Sequence, residues 1–195
     1  ASIGYRVFGA QIMKMSLNKS LKQKKGFTLV ELLIVVVILA ILAGILVPQF
    51  SSATDDAKLA SIDSNLANIR AAIDLYYQQH GHYPGSVTAA GANCAAGPGG
   101  TTGTGAVNTE AAFISQLSLY TDVNGEGCTK SDTTFKYGPY MKKAAMPQNP
   151  FTNSSTVAIS TAGALGMTSA STTGGWKYDV VTGQFIADHS SYDDR

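Results

Sequence analysis

Glu31 is the only charged residue in FTLVELLIVVVILAILAGILV, a run that is apolar and uncharged from Leu32 to Val47. A carboxylate placed in a bilayer costs at least about 2.5–3.5 kcal/mol, so a plain anchor has no use for it. On its own it can lie at headgroup level or take up a proton. Other candidate chemistry is sparse. His80-Gly81-His82 offers two metal ligands without a carboxylate or cysteine partner, short of the three or four that metal sites use, and reads as a helix terminus. Asp122, Asn124 and Glu126 alternate in TDVNGEG. The complete EF-hand pattern and its closing bidentate Glu are missing, so a solvated turn is expected. No Gly-rich phosphate loop, nucleophile elbow or paired-carboxylate motif occurs, which argues against an enzyme. No cofactor is expected, and calcium in the head lacks a clear motif.

These residues sit in a chain of 195 amino acids, enough for one globular domain and an appendage. The net charge of +1 conceals a split. Arg6, Lys14, Lys19, Lys22, Lys24 and Lys25 precede Gly26, and no acid occurs before Glu31. From Phe27 onward eight Lys/Arg face thirteen Asp/Glu, a net of −5 with histidines neutral. An acidic body argues against nucleic acid as the main partner. The apolar run is close to the roughly 20 residues needed to cross a hydrocarbon core. Lysines at its amino end keep that end cytoplasmic, which puts the remainder across the membrane. A secretory signal would be cut after the run, at small residues in an A-x-A pattern; here the run leads to Val47-Pro48-Gln49-Phe50, as a retained anchor would. Cys94 and Cys128 then lie on the outer side, where a disulfide is permitted and two unpaired thiols remain the alternative. Their spacing fits no CxxC motif. The first dozen residues fit no part of this plan, whereas Met13 or Met15 would begin a short Lys-rich leader.

A helical pattern continues past Pro48, with Ile62, Leu66, Ile69, Ile73 and Tyr76 stepping by four, three, four and three along one face. Gly81 supplies a helix stop and Pro84 prevents resumption. A helix from Phe27 to His80 would be about 80 Å long at 1.5 Å per residue, so half of it must project beyond the membrane. Pro48 is its weak point, because it has no N–H for the carbonyl of Gly44, and Gly44 adds backbone freedom at the same turn. The pair marks a helix break: a simple kink, or a place where the helix unwinds under tension.

Residues 85–107 read as a Gly/Ala/Thr-rich loop with little to bury. Asn108 or Thr109 can cap a short helix on which Phe113, Leu117 and Tyr120 share a face. Trp176, Tyr178 and Val180 alternate with polar residues, and Gln184-Phe185-Ile186 resumes after Thr182-Gly183, a hairpin pattern. Phe135-Lys136-Tyr137 and Thr156–Ile159 are weaker strands. The expected fold is α+β: a long amino-terminal helix packed on a small antiparallel β-sheet head. The divisions are a leader at 1–26, a transmembrane helix at 27–48, an amphipathic stalk at 49–81 and a globular head at 82–195.

The run KKGFTLVELLIVV resembles the amino-terminal signature of type IV prepilins and of the pseudopilins of type II secretion. The resemblance covers roughly Lys24 to Gly85, including YYQQHGHYPG, which looks like the end of the pseudopilin stalk. It implies that a prepilin peptidase cuts between Gly26 and Phe27 and methylates Phe27. It also implies that Glu31 meets the amino group of Phe27 in an adjacent subunit as a homopolymer forms through the amino-terminal helices. The implied partners are the inner membrane, the peptidase, an assembly platform and minor pilins or pseudopilins. The implied location is the inner membrane with a periplasmic head, then a periplasmic pseudopilus or a surface pilus. YGPYMKKAAMPQNPF and GGWKYDVVTGQF look like a major pseudopilin head, which favours a structural role in export of folded proteins. A surface pilin for adhesion, twitching or DNA uptake is the alternative, since HSSYDDR lacks the pseudopilin calcium loop.

Overall fold

The computed structural model describes residues 26–194. Residues 1–25, which are all but Gly26 of the leader expected at 1–26 and include the expected start at Met13 or Met15, lie outside them. Contacts divide the chain into two units, 1–47 and 48–195. Helix α1, Leu29–His80, begins in the first and ends in the second. It is helical at Gly44 and at Pro48, where the second unit begins. Gly81 closes it at φ +73°, donating its N–H to Tyr77 O at 2.8 Å, the left-handed cap that glycine adopts without strain.

In the second unit, Ile62, Leu66, Ile69, Ile73 and Tyr76 are all buried, so the stripe is the floor of the core. Two further helices follow, α2 at Asn93–Ala96 and α3 at Glu110–Ser118. Thr109 caps α3 by accepting from Ala112 N at 3.2 Å, and Phe113 and Leu117 face the core. Tyr120 does not extend that face. The helix ends at Ser118, and Tyr120 opens strand β1, Tyr120–Thr121, which pairs antiparallel with β2, Gly127–Cys128.

A second sheet orders β3 (Val157–Ser160), β4 (Trp176–Asp179) and β5 (Phe185–Ala187). It is mixed: β4–β5 is the expected antiparallel hairpin, whereas β3 runs parallel to β4. Parallel pairing requires a crossover of a dozen or more residues, which residues 161–175 supply. Phe135-Lys136-Tyr137 forms no strand beyond one bridge between Thr121 and Tyr137. Asp132 Oδ1 accepts from the N–H groups of Thr134 and Phe135, both at 2.7 Å, and that turn aims Phe135 into a small cluster with Cys94 and Cys128. The architecture is α+β, with Trp176, Tyr178 and Phe185 packed in one core with the stripe.

Side chains occupy outward groups on both edges of this sheet. Arg70 Nε donates to Phe185 O at 2.9 Å, and Glu110 Oε1 accepts from Val157 N at 2.8 Å. The turns are fastened by Asp179, whose Oδ1 accepts from Val181 N and Thr182 N and whose Oδ2 accepts from Ser160 Oγ and Gly163 N. Burial works against this carboxylate, but the bonds from Thr182, Ser160, Gly163 and Val181 outweigh it and hold its pKa below the ordinary value. Asp179→Ala should lower the stability of the second unit by about 2–3 kcal/mol in denaturant titrations. Because folding depresses this pKa, the stabilisation is complete above the unfolded value near 3.9 and disappears as pH falls through the folded one.

Candidate functional site

The first turn of α1 explains how a carboxylate is held at the head of an apolar helix. Thr28 Oγ1 accepts from Glu31 N at 3.2 Å, while Glu31 Oε2 accepts from Thr28 N and from Thr28 Oγ1, both at 2.8 Å. This is a capping box, in which the side chains at both ends of a T-x-x-E step satisfy each other's backbone donors. The negative charge also lies at the positive end of the helix dipole. Sequence reasoning singled out Glu31 and missed Thr28, although the spacing of Thr28 and Glu31 is itself the signal.

From Leu29 to Leu46 the helix has 18 residues of mean hydropathy 3.2, long and apolar enough to cross a membrane. Its side chains are exposed on every face, as 50% exposure at each of the successive residues Val35, Val36 and Val37 shows. Phe27 is 83% exposed. Phe27, Glu31, Leu32 and Val35 line a shallow cleft, so the Phe27 ring and the carboxylate share one side of the helix. At Gly26 and at Gly44 an added Cβ would meet nothing within 4 Å.

In the second unit, Cys94 and Cys128 form a disulfide with Cα atoms 5.3 Å apart, closing a separation of 34 residues. Both are fully buried, so the Gly-rich segment has a core of its own made of the disulfide, Phe135 and the flank of Tyr120. The turn at 122–126 is not solvated as expected: Asp122 and Glu126 are only 3% and 7% exposed. Asp122 Oδ1 accepts from Asn124 N and Glu126 N, and Glu126 accepts from Cys94 N and Asn93 Nδ2. Asp122 is thus spent on donors of its own turn, and Glu126 on donors from Asn93 and Cys94. Gln116 braces the same region by accepting from Gly85 N and donating to Val87 O and Gly125 O. His80 and His82 sit with ring centroids 5.7 Å apart. Among the described residues, no group of three or more His, Cys, Asp or Glu side chains is placed to hold a metal ion.

Residues 21–47 match the family model of the prokaryotic N-terminal methylation motif. Over 63 residues the chain is 44% identical to the type II secretion system core protein G of Pseudomonas aeruginosa, covering 32% of this chain and 44% of that protein. It is 38% identical over 68 residues to a fimbrial protein of Neisseria meningitidis, covering 35% of this chain and 40% of the relative. It is 52% identical over 48 residues to the major component of the type IV narrow pilus of Thermus thermophilus, covering 25% and 41%. The chain thus spans less than half the length of these relatives. No solved structure matches it. The amino-terminal part of the chain is thus similar to that of type IV pilins and of type II secretion core protein G, and the described residues join to it an exposed apolar helix and an α+β unit.

Two measurements check this geometry. Thr28→Val should weaken the amino end of α1 by about 1 kcal/mol, read as faster amide exchange at Leu29–Leu32. Replacing both cysteines by alanine should cost the second unit up to about 4 kcal/mol, the loop-closure value for this separation, read from denaturation midpoints without reductant.

Proposed function

We propose that this chain is the precursor of a structural subunit of a pilus-like filament, a major-pseudopilin-like component that helps type II secretion export folded proteins. The observation that carries the reading is the fully exposed apolar helix Leu29–Leu46 with a capped carboxylate in its first turn. Water cannot be its final surrounding, because apolar area exposed there costs about 25 cal/mol per Å². Lipid covers it in the precursor and identical helices cover it in the polymer.

In this reading a prepilin peptidase cuts between Gly26 and Phe27 and methylates the new amino terminus at Phe27. The body beyond the helix lies outside the inner membrane. When the subunit leaves lipid through an assembly platform shared with minor pilins or pseudopilins, Glu31 exchanges its partners. It gives up the Thr28 donors for the charged amino group of Phe27 in a neighbour, and the two opposite charges are neutralised together in the apolar bundle. That pairing sets the axial register, as a buried polar residue does in a coiled coil. Gly44 and Pro48 form the segment that stretches most cheaply, since Pro48 provides no N–H to the helix ladder.

A second reading rests on the 52% identity to a Thermus thermophilus pilus component, and it makes the chain a surface pilin for adhesion, twitching or DNA uptake. The shared amino-terminal segment serves both kinds of filament. Deleting the gene separates them: blocked exoprotein release supports the secretion role, and intact release with loss of surface fibres supports the pilin.

Coexpression with the peptidase should yield a mature mass beginning at a methylated Phe27. Cleavage at any other bond would remove the basis of the proposal. Glu31→Leu should insert into membranes at least as well, since about 2.5–3.5 kcal/mol of unfavourable transfer is removed, yet give no filaments by electron microscopy. Filaments at the normal level would overturn the role assigned to the carboxylate.

A further inference from the structure

Asn153-Ser154-Ser155 carries the Asn-x-Ser/Thr pattern at which an oligosaccharyltransferase attaches N-linked glycans. The pattern occurs once more, at Asn18-Lys19-Ser20, ahead of Gly26 and so outside the mature chain of the proposed function. Such a triplet is common by chance. It becomes an acceptor only where the asparagine amide stands on a surface loop outside the cytoplasm. The fold of residues 149–156 supplies that loop.

The base of the turn is fixed. Asn149 is fully buried; its N–H donates to Ser154 O at 2.9 Å, its side-chain amide donates to Gly175 O at 3.1 Å, and its Oδ1 accepts from Phe151 N at 3.0 Å. Phe151 packs against the core, stacks on Tyr192 with centroids 4.3 Å apart, and lies 5.2 Å from the Lys58 ammonium. Thr152 Oγ1 donates to Gly174 O at 2.8 Å and accepts from Ser154 N at 3.3 Å. Ser154 Oγ lies 3.0 Å from Thr156 Oγ1 and accepts from Thr156 N.

Asn153 stands at the tip of this braced turn. It is exposed, and its φ of +56° is the left-handed conformation that asparagine tolerates. Its N–H is taken by Asn149 O at 2.8 Å, which leaves the carboxamide as its outward group. Among the described residues neither that carboxamide nor the Ser155 hydroxyl has a hydrogen-bond partner, whereas the side chains of Asn149, Thr152, Ser154 and Thr156 are all engaged. The left-handed tip accounts for an asparagine at 153, but not for a free hydroxyl two residues further on. The two side chains that the turn leaves unused are the two that glycan transfer requires.

We propose that Asn153 is an acceptor for N-linked glycosylation, with a lipid-linked oligosaccharide as the donor. Asn153 Nδ2 forms a bond to the anomeric carbon of the first sugar as the bond from that carbon to the lipid pyrophosphate breaks. The lipid pyrophosphate leaves with the bonding electron pair, the amide gives up one proton to water, and nothing is oxidised or reduced. The Ser155 hydroxyl is the group by which the transferase recognises the triplet, so threonine can replace it and alanine cannot. The inference rests on the proposed function in one respect, the location of the head outside the cytoplasm.

The test is peptide mass mapping of the mature chain purified from the envelope of its own host. Trypsin cuts after Lys143 and Lys177 and releases residues 144–177, which hold the triplet, while the peptide that begins the chain reports cleavage after Gly26 separately. Peptide 144–177 should carry a sugar mass that fragmentation places on Asn153. The sugar should be lost in Asn153→Asp, which keeps a residue suited to the left-handed tip, and in Ser155→Ala. It should be kept in Ser154→Ala and in Ser155→Thr. A bare peptide 144–177 from a chain that begins at Phe27 would overturn the acceptor and leave the filament reading standing. A sugar that survives in Asn153→Asp would overturn it as well, since the sugar would then sit on a serine or threonine hydroxyl.

Discussion

How much of a helix's circumference is apolar decides what must cover it, and this chain poses the question twice. From Leu29 to Leu46 the whole circumference is apolar, so no single side can be hidden by a folded domain and only lipid or a bundle of like helices suffices. From Ile62 to Tyr76 the apolar residues occupy one stripe, and a small domain covers it with α3 and a three-stranded sheet. The single acid in the all-round segment is reconciled with its setting by position: at the third residue of the helix it accepts from the N–H and the hydroxyl of Thr28.

Both kinds of periodicity were legible in the sequence. The stripe from Ile62 to Tyr76, the helix stop at Gly81, the cap at Thr109 and the β4–β5 hairpin follow from local rules, and each is where those rules place it. What local rules left out is non-local. The partner of β3 is decided by a long crossover, and its parallel direction has no signature in either strand. The short strand Gly127–Cys128 is tied to Cys94, 34 residues away, and the turn before it is held by Gln116 through Gly125 O. The Asp122–Glu126 turn was misread for the same reason: its acidic composition says water, but Asn93 and Cys94, remote in sequence, bring the donors that let Glu126 be buried. Within the amino-terminal segment the omission was local, since Thr28 stands at the spacing that makes a cap with Glu31.

The Gly-rich part of the second unit stays ordered with little apolar material, and its means are polar. Gln116 satisfies three backbone groups, at Gly85, Val87 and Gly125, Asp122 satisfies two within its own turn, and Glu126 reaches back to Cys94 N and the Asn93 amide. The disulfide supplies the cluster that the surrounding glycines, alanines and threonines cannot. Gly125 shows how close the fit is. It adopts φ +85°, and a Cβ there would come within 2.7 Å of the Tyr76 hydroxyl and 2.8 Å of Val87. Helix, hairpin and loop meet at that point with no room for a side chain.

The side chains that occupy the margins of the three-stranded sheet bear on how copies of the chain meet. An open strand margin is a template on which any neighbouring chain can add a strand, a hazard that grows with local concentration. Here Arg70 fills an outward carbonyl on β5 and Glu110 an outward amide on β3, one on each side of a sheet whose strands are only three or four residues long. Crowded heads are therefore discouraged from zipping together through their backbones.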